Sequence, residues 1–210
     1  MLNERPRPPT IRVARATDAA SVRAIYAPFV LETAISFEER APTADEMRAR
    51  IEDALVQHAW LVATEPPQGR DDDDGGVIGF AYATRHRARS AYRFAVETSV
   101  YTDVARARRG VGGALSRALL DVLRAQGFVT AYAGIALPNE RSVALHERCG
   151  YARFATYDRV GFKLGRWHDV AWFARRLVDD DRPPSETRTI DELARDGTLD
   201  AILRAHGDAR

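Results

Sequence analysis

Cysteine is almost missing from this 210-residue sequence. Cys149 stands alone, so no intramolecular disulfide can form, and stability has to come from a packed core. Long apolar runs are missing too, which excludes a signal peptide or membrane-spanning helix and makes the cytoplasm the expected compartment. Nor is there an excess of one charge: 31 lysines and arginines face 30 aspartates and glutamates, for a net charge of +1. Without a broad positive field the chain is not expected to grip nucleic acid or an anionic membrane, so any anion must be recognised locally. Internal repeats are absent, and the length suits one domain with a sizeable core and a small appendage.

What is present reads as strands interleaved with helices. Met1 to Thr10 is a proline- and arginine-rich lead-in, and the fold is expected to begin at Ile11 with a half-buried strand, Ile11 to Ala14. Thr17 or Asp18 can cap a helix carrying Val22, Ile25, Tyr26 and Phe29, with its end obscured by Pro28. Thr43 and Glu46 have capping-box spacing ahead of Met47, Ile51 and Leu55. Trp60 to Ala63 and Val77 to Tyr82 read as neighbouring strands around an insert containing Asp71 to Asp74. Those four carboxylates lack the alternating ligands and distal glutamate of a calcium loop, so the insert is read as a solvated hairpin tip and no metal is expected.

Leu115, Leu119, Val122 and Leu123 mark a helix closed by Gly127, and Phe128 to Ala136 a strand. Asn139 caps the next helix, which Gly150 ends. Phe154 to Phe162 and Val170 to Leu177 make two last strands. The domain is therefore expected over residues 11–177, as an α/β (α+β) layer structure around a mixed sheet. Residues 178–210 form an extension with a short helix, docked or mobile, marked by Ile190, Leu193, Leu199, Ile202 and Leu203.

Chemistry concentrates between residues 96 and 151. Gly110, Gly112 and Gly113 lie at the entrance to a helix, where the first backbone N–H groups have no intrahelical acceptor and no bulky side chain shields them. Such donors, backed by the positive helix end, suit a diphosphate, and Arg106, Arg108 and Arg109 can add charge-assisted bonds. A Walker loop is excluded because no Gly-Lys-Ser/Thr follows, and a dinucleotide fingerprint because Leu115 stands where the third glycine belongs.

Together with the run Val96-Glu97-Thr98-Ser99-Val100-Tyr101 and the later Asn139-x-x-Ser142-x-x-x-His146-x-x-x-Gly150-Tyr151, this layout resembles the GNAT N-acetyltransferases, in particular the branch acting on phosphinothricin and methionine sulfoximine. The resemblance spans roughly Ile11 to Leu177. It implies a mixed, mostly antiparallel central sheet flanked by helices, and acetyl-CoA as cosubstrate. The coenzyme would be held by Val100, Arg108, Arg109, Gly110, Val111, Gly112, Gly113, Ala114, Asn139 and Ser142. One departure is Ala107, where the family usually has arginine or glutamine.

Acetylating an amine with a thioester requires loss of the ammonium proton and stabilisation of a departing thiolate. Glu97, on the strand before the glycine turn, matches the family's base; a carboxyl near pKa 4.3 needs burial or a water relay to serve an ammonium near 10. His146 matches the branch's histidine, and it could donate a proton to the thiolate or share the base role. Arg89 and Tyr92 match an acceptor-binding pair, with Phe37 as an apolar wall. His168 and Asp169, in the matching run Gly165 to Val170, are read as a structural corner, and Cys149 as a buried structural thiol.

The resemblance further implies a homodimer. The function expected is acetyl transfer to the α-amine of a small anionic amino acid or analogue. Two alternatives stand beside it: a GNAT enzyme for another amine (a protein N-terminus, lysine, polyamine or aminoglycoside), and a non-catalytic acyl-CoA-binding module.

Overall fold

The computed structural model describes residues 9–65, 76–106, 110–179 and 183–207. The insert carrying Asp71 to Asp74, together with Ala107, Arg108 and Arg109, lies outside them. The elements run Thr10–Val13 (β1), Ala19–Glu32 (α1), Ala44–Gln57 (α2), Trp60–Thr64 (β2), Val77–Arg85 (β3), Ala95–Thr102 (β4) and Val111–Gln126 (α3). They continue with Thr130–Ala136 (β5), Glu140–Arg148 (α4), Ala152–Lys163 (β6), Arg166–Arg176 (β7), Ile190–Arg195 (α5) and Thr198–Gly207 (α6). The strands form one seven-stranded sheet in the order β1-β2-β3-β4-β5-β7-β6. Its neighbours are antiparallel except β4 and β5, which run parallel.

The two sheet faces are covered by different helices because alternate strand residues point opposite ways. Trp60, Val62, Phe80 and Val77 pack against Tyr26, Val30, Met47 and Ile51 of α1 and α2. Leu61, Ala63, Ala81, Ala83 and Val96 pack on the other face against Leu115, Ala118, Leu119, Val122 and Leu123 of α3. Pairing of Tyr82 with Ser99 and of Thr84 with Glu97 places Glu97, Ser99 and Tyr101 on the α1/α2 face, while Val96, Thr98 and Val100 face α3 and α4.

Several boundaries differ from the sequence reading, each for a visible reason. Asp18 occupies the cap position of α1, but its carboxylate takes the Arg15 amide (2.7 Å) and the Arg12 guanidinium (2.7 and 2.8 Å), closing a 3-10 turn ahead of the helix. Pro28 does not end α1: it forfeits one amide bond, and the helix runs on until Thr33 Oγ1 donates to the Phe29 carbonyl (2.7 Å). The expected corner at His168 is instead the two-residue turn Leu164–Gly165, whose φ values of 51° and 75° suit a tight hairpin. His168 therefore sits inside β7, buried, with its Nε2 3.0 Å from the Lys163 carbonyl.

Among the described residues the extension holds two helices rather than one, and both are docked. Ile190, Leu193 and Leu199 are buried in the same cluster as the α3 leucines. The Gln126 side chain donates to the Arg188 carbonyl (2.9 Å), and His206 Nε2 meets Asp121 of α3 at 2.8 Å.

Candidate functional site

β4 and β5 pair over only three positions, Ala95–Thr130, Val96–Ala131 and Glu97–Tyr132, and then part. β5 stays bonded to β7 through Ala136, and β4 to β3 through Thr102. The edge of β4 beyond Glu97 is thus left with strand amides and carbonyls facing a gap, where a buried backbone needs partners. Thr98 Oγ1 closes the apex of the gap by donating to the Tyr132 carbonyl (3.1 Å). A narrow slot of about 40 Å³ results, lined among others by Thr98, Val100, Asn139, Ser142 and His146 and reaching Ile35.

At the far end of β4 the chain enters α3 through Gly110, whose φ of 99° is open to glycine and strained for other residues. The Ala114 amide donates to the Gly110 carbonyl (2.9 Å), so it is used inside the helix. That removes Ala114 from the expected anion donors and leaves the amides of Gly110, Val111, Gly112 and Gly113, which have no intrahelical acceptor. Among the described residues no side chain caps this end. The buried Val111 side chain anchors the turn from below.

His146 comes from the α4 side and is buried. Its Nδ1 lies 2.8 Å from the Ser142 carbonyl. A carbonyl only accepts, so Nδ1 carries the hydrogen and Nε2 presents a lone pair. Burial holds the ring below the ordinary histidine range, with the Ser142 bond opposing it. With the hydrogen on Nδ1 and burial disfavouring the charged ring, Nε2 is placed to take up a proton before passing one on. Asn139 spends its side-chain oxygen on the Ser142 amide (3.2 Å), so both expected coenzyme contacts also hold the helix start that carries His146. The Tyr151 hydroxyl, 2.7 Å from Thr98 Oγ1, supports the same wall, and the Tyr151 ring stands edge-on to His146.

Glu97 lies on the opposite face of the sheet. Its Oε1 is 2.9 Å from His86 Nδ1 and 3.1 Å from Arg87 Nη1. The structure does not bring Glu97 and His146 into one cluster: His146 lines the slot, while Glu97 bonds His86 and Arg87 on the other face of β4. His86 is a functional candidate that the sequence reading passed over. It stacks on Tyr132 (centroids 4.4 Å apart, 20° between planes) and meets Tyr92 edge-on at 5.9 Å. Arg89 caps a 3-10 turn, Ser90–Tyr92, whose Tyr92 ring makes that contact with His86. Trp172, with Arg87 above its ring at 6.0 Å, extends the floor over Gly134. Its indole nitrogen is buried with no partner among the described residues.

Phe37 is half exposed, and a Cβ at Gly161 would overlap its ring, so it lies flush on β6. Lys163 reaches from β6 to the Val30 and Ser36 carbonyls (2.5 and 2.6 Å) and ties the loop holding Phe37 to the sheet. Cys149 is buried, with its thiol pushed up by desolvation.

Comparison with known proteins agrees with this layout. Residues 11–172 match the family model described as acetyltransferase (GNAT) domain. The chain is 36% identical over 187 residues to a phosphinothricin N-acetyltransferase of Streptomyces viridochromogenes, covering 89% of this chain and 97% of that one. It is 33% identical to an L-methionine sulfoximine/L-methionine sulfone acetyltransferase of Salmonella typhimurium, covering 83% and 98% respectively. Among solved structures, a GNAT superfamily phosphinothricin acetyltransferase from Sinorhizobium meliloti, in complex with AcCoA, superposes with a TM-score of 0.77 at 35% identity, covering 85% of this chain and 94% of that one.

Proposed function

The chain belongs to the GNAT acetyltransferase family, and on that footing we propose that it transfers acetyl from acetyl-CoA to the α-amine of a small anionic amino acid or analogue of the phosphinothricin or methionine sulfoximine type. The parting of β4 from β5 beside an uncapped α3 terminus carries this reading. Four amides without an intrahelical acceptor and a positive helix end suit the diphosphate of coenzyme A, and the open edge of β4 along Val100 suits its amide-containing arm. Acetyl-CoA supplies the acetyl group as a thioester. The chain's own contribution is to hold the two proton-handling groups on opposite sides of that thioester.

Position supports a division of roles. The Glu97 cluster, on the face overhung by Arg89 and Tyr92, serves the ammonium of the acceptor, and His146, on the coenzyme side, serves the thiol. Arg89 can grip a carboxylate or phosphinate bidentately, and the Tyr92 hydroxyl adds direction. Phe37 bounds the apolar part of the acceptor. A cationic acceptor would want carboxylates in place of Arg89, which disfavours polyamines and aminoglycosides.

The test is thiol release from acetyl-CoA across a panel holding methionine sulfoximine, phosphinothricin, a polyamine and a lysine peptide. Turnover concentrated on the two amino-acid analogues is expected. Preference for the polyamine would sink the acceptor assignment, and saturable coenzyme binding with no release on any amine would favour a binding module. We also propose a homodimer, supported by Phe154, Phe162, Leu164 and Trp167, each more than half exposed on the β6–β7 hairpin at the sheet's outer edge. Sedimentation should return twice the chain mass; a monomer at micromolar concentration would refute it.

A further inference from the structure

We propose that His86 takes the proton from the acceptor's ammonium and that Glu97 is the carboxylate that aims it. The proposal rests on the acetyl-transfer reading above and names the atom at which its proton step occurs. An ionised carboxylate only accepts, so the 2.9 Å contact between Glu97 Oε1 and His86 Nδ1 puts the imidazole hydrogen on Nδ1. The ring then offers a lone pair at Nε2, which has no hydrogen-bond partner among the described residues. Glu97 Oε1, by contrast, already receives both His86 and Arg87.

The ring is also held in place. Tyr132 of β5 stacks on one side, and the edges of Tyr92 and of Trp172 from β7 meet it at 5.9 and 6.4 Å. Its side chain keeps 14% of its surface accessible, so the ring is largely enclosed but not sealed from a substrate. The charged and titratable groups around it are Glu97 from β4, Tyr132 from β5, and Arg87 and Tyr92 from the overhanging segment; Tyr82 of β3 interacts with the same carboxylate.

In the step itself the amine nitrogen keeps the electron pair of its N–H bond, and Nε2 binds the released proton with its own pair. The imidazolium formed lies against Glu97, which offsets its charge, as in other carboxylate–histidine pairs. The freed amine then attacks the thioester carbonyl and a C–N bond replaces the C–S bond, whose electron pair leaves with sulfur; the extra proton on the new amide nitrogen passes to that thiolate, which departs as coenzyme A thiol, and the imidazolium returns its own proton to solvent.

His86→Ala should lower kcat by about 10²-fold or more, the usual contribution of a positioned base, with coenzyme A affinity by calorimetry unchanged. Added imidazole should restore part of that rate by occupying the vacated slot over Tyr132. His86→Phe keeps the stacked ring without the nitrogens, and it should be equally slow and unresponsive to imidazole. Turnover of either variant within threefold of wild type would overturn the proposal. So would a slow His86→Ala protein that binds coenzyme A but ignores imidazole, since that would leave only packing. A wild-type chain that releases no thiol on any amine would take the acetyl-transfer reading down as well, whereas an active wild type with an unimpaired His86→Ala removes His86 alone.

Discussion

Glu97→Gln is expected to lower turnover by about 10²-fold or more while coenzyme A binds as before. The change preserves size and removes only the negative charge and one acceptor face. Glu97 sits on the α1/α2 side of the sheet, away from the uncapped α3 terminus, so the anion-binding amides should not register its loss. The proton step should. An amide at this position can turn its NH₂ toward His86 Nδ1 and reverse the tautomer, which takes the lone pair away from Nε2. It would also leave the Arg87 guanidinium without its carboxylate partner. Steady-state kinetics on the best acceptor, paired with coenzyme A calorimetry, checks both halves. An unchanged kcat would remove Glu97 from the mechanism, and a parallel loss of coenzyme affinity would mean the substitution had disturbed the slot itself.

How far the sequence leads can be judged from this same site. The strand carrying Glu97, the glycine entry to α3 and the helix carrying His146 were all legible, because each rests on local signals: alternation, an αL glycine, an Asn cap. The mixed sheet followed from the interleaving of strands with helices. What stayed hidden depends on register or on partners distant in sequence. His86 falls beside Glu97 only because Thr84 pairs with Glu97 across β3 and β4, a one-residue slip of which would turn every side chain over. Residues 86 and 97 are joined by no helical spacing, so their contact had no local signature.

Other commitments are just as invisible in the letters. Ala114 belongs to the glycine-rich stretch by position, yet its amide is taken by the Gly110 carbonyl. The proton on His146 is fixed by a carbonyl one helical turn back, at Ser142, which any residue there would provide. That bond is why the resting ring is an acceptor, and why motif resemblance alone left its role open. The separation of Glu97 and His146 onto two faces likewise follows from the β3–β4 register, which is a property of the pairing and not of either strand.

The extension gives the second large expected effect: Leu193→Ala should lower the free energy of unfolding by about 2–5 kcal/mol, a large share of the roughly 5–15 kcal/mol typical of a whole domain. The sequence marked Ile190, Leu193 and Leu199 at roughly helical spacing but could not say what they touch. Leu193 is fully buried, in one cluster with Leu119, Leu123 and Phe128, so its removal leaves a cavity against α3 and not a bare patch on a tail. Polar contacts seal the joint, with Arg188 N donating to the Gln126 carbonyl at 2.7 Å. Residues 11–172 match the family model, while this packing lies past them, so a chain cut after residue 182 would retain the matched segment and lose part of its core. Urea unfolding of Leu193→Ala followed by fluorescence reports the loss directly. A midpoint within error of wild type would show that α5 is dispensable to the core, and the truncated chain would then be expected to fold and bind coenzyme A unaided.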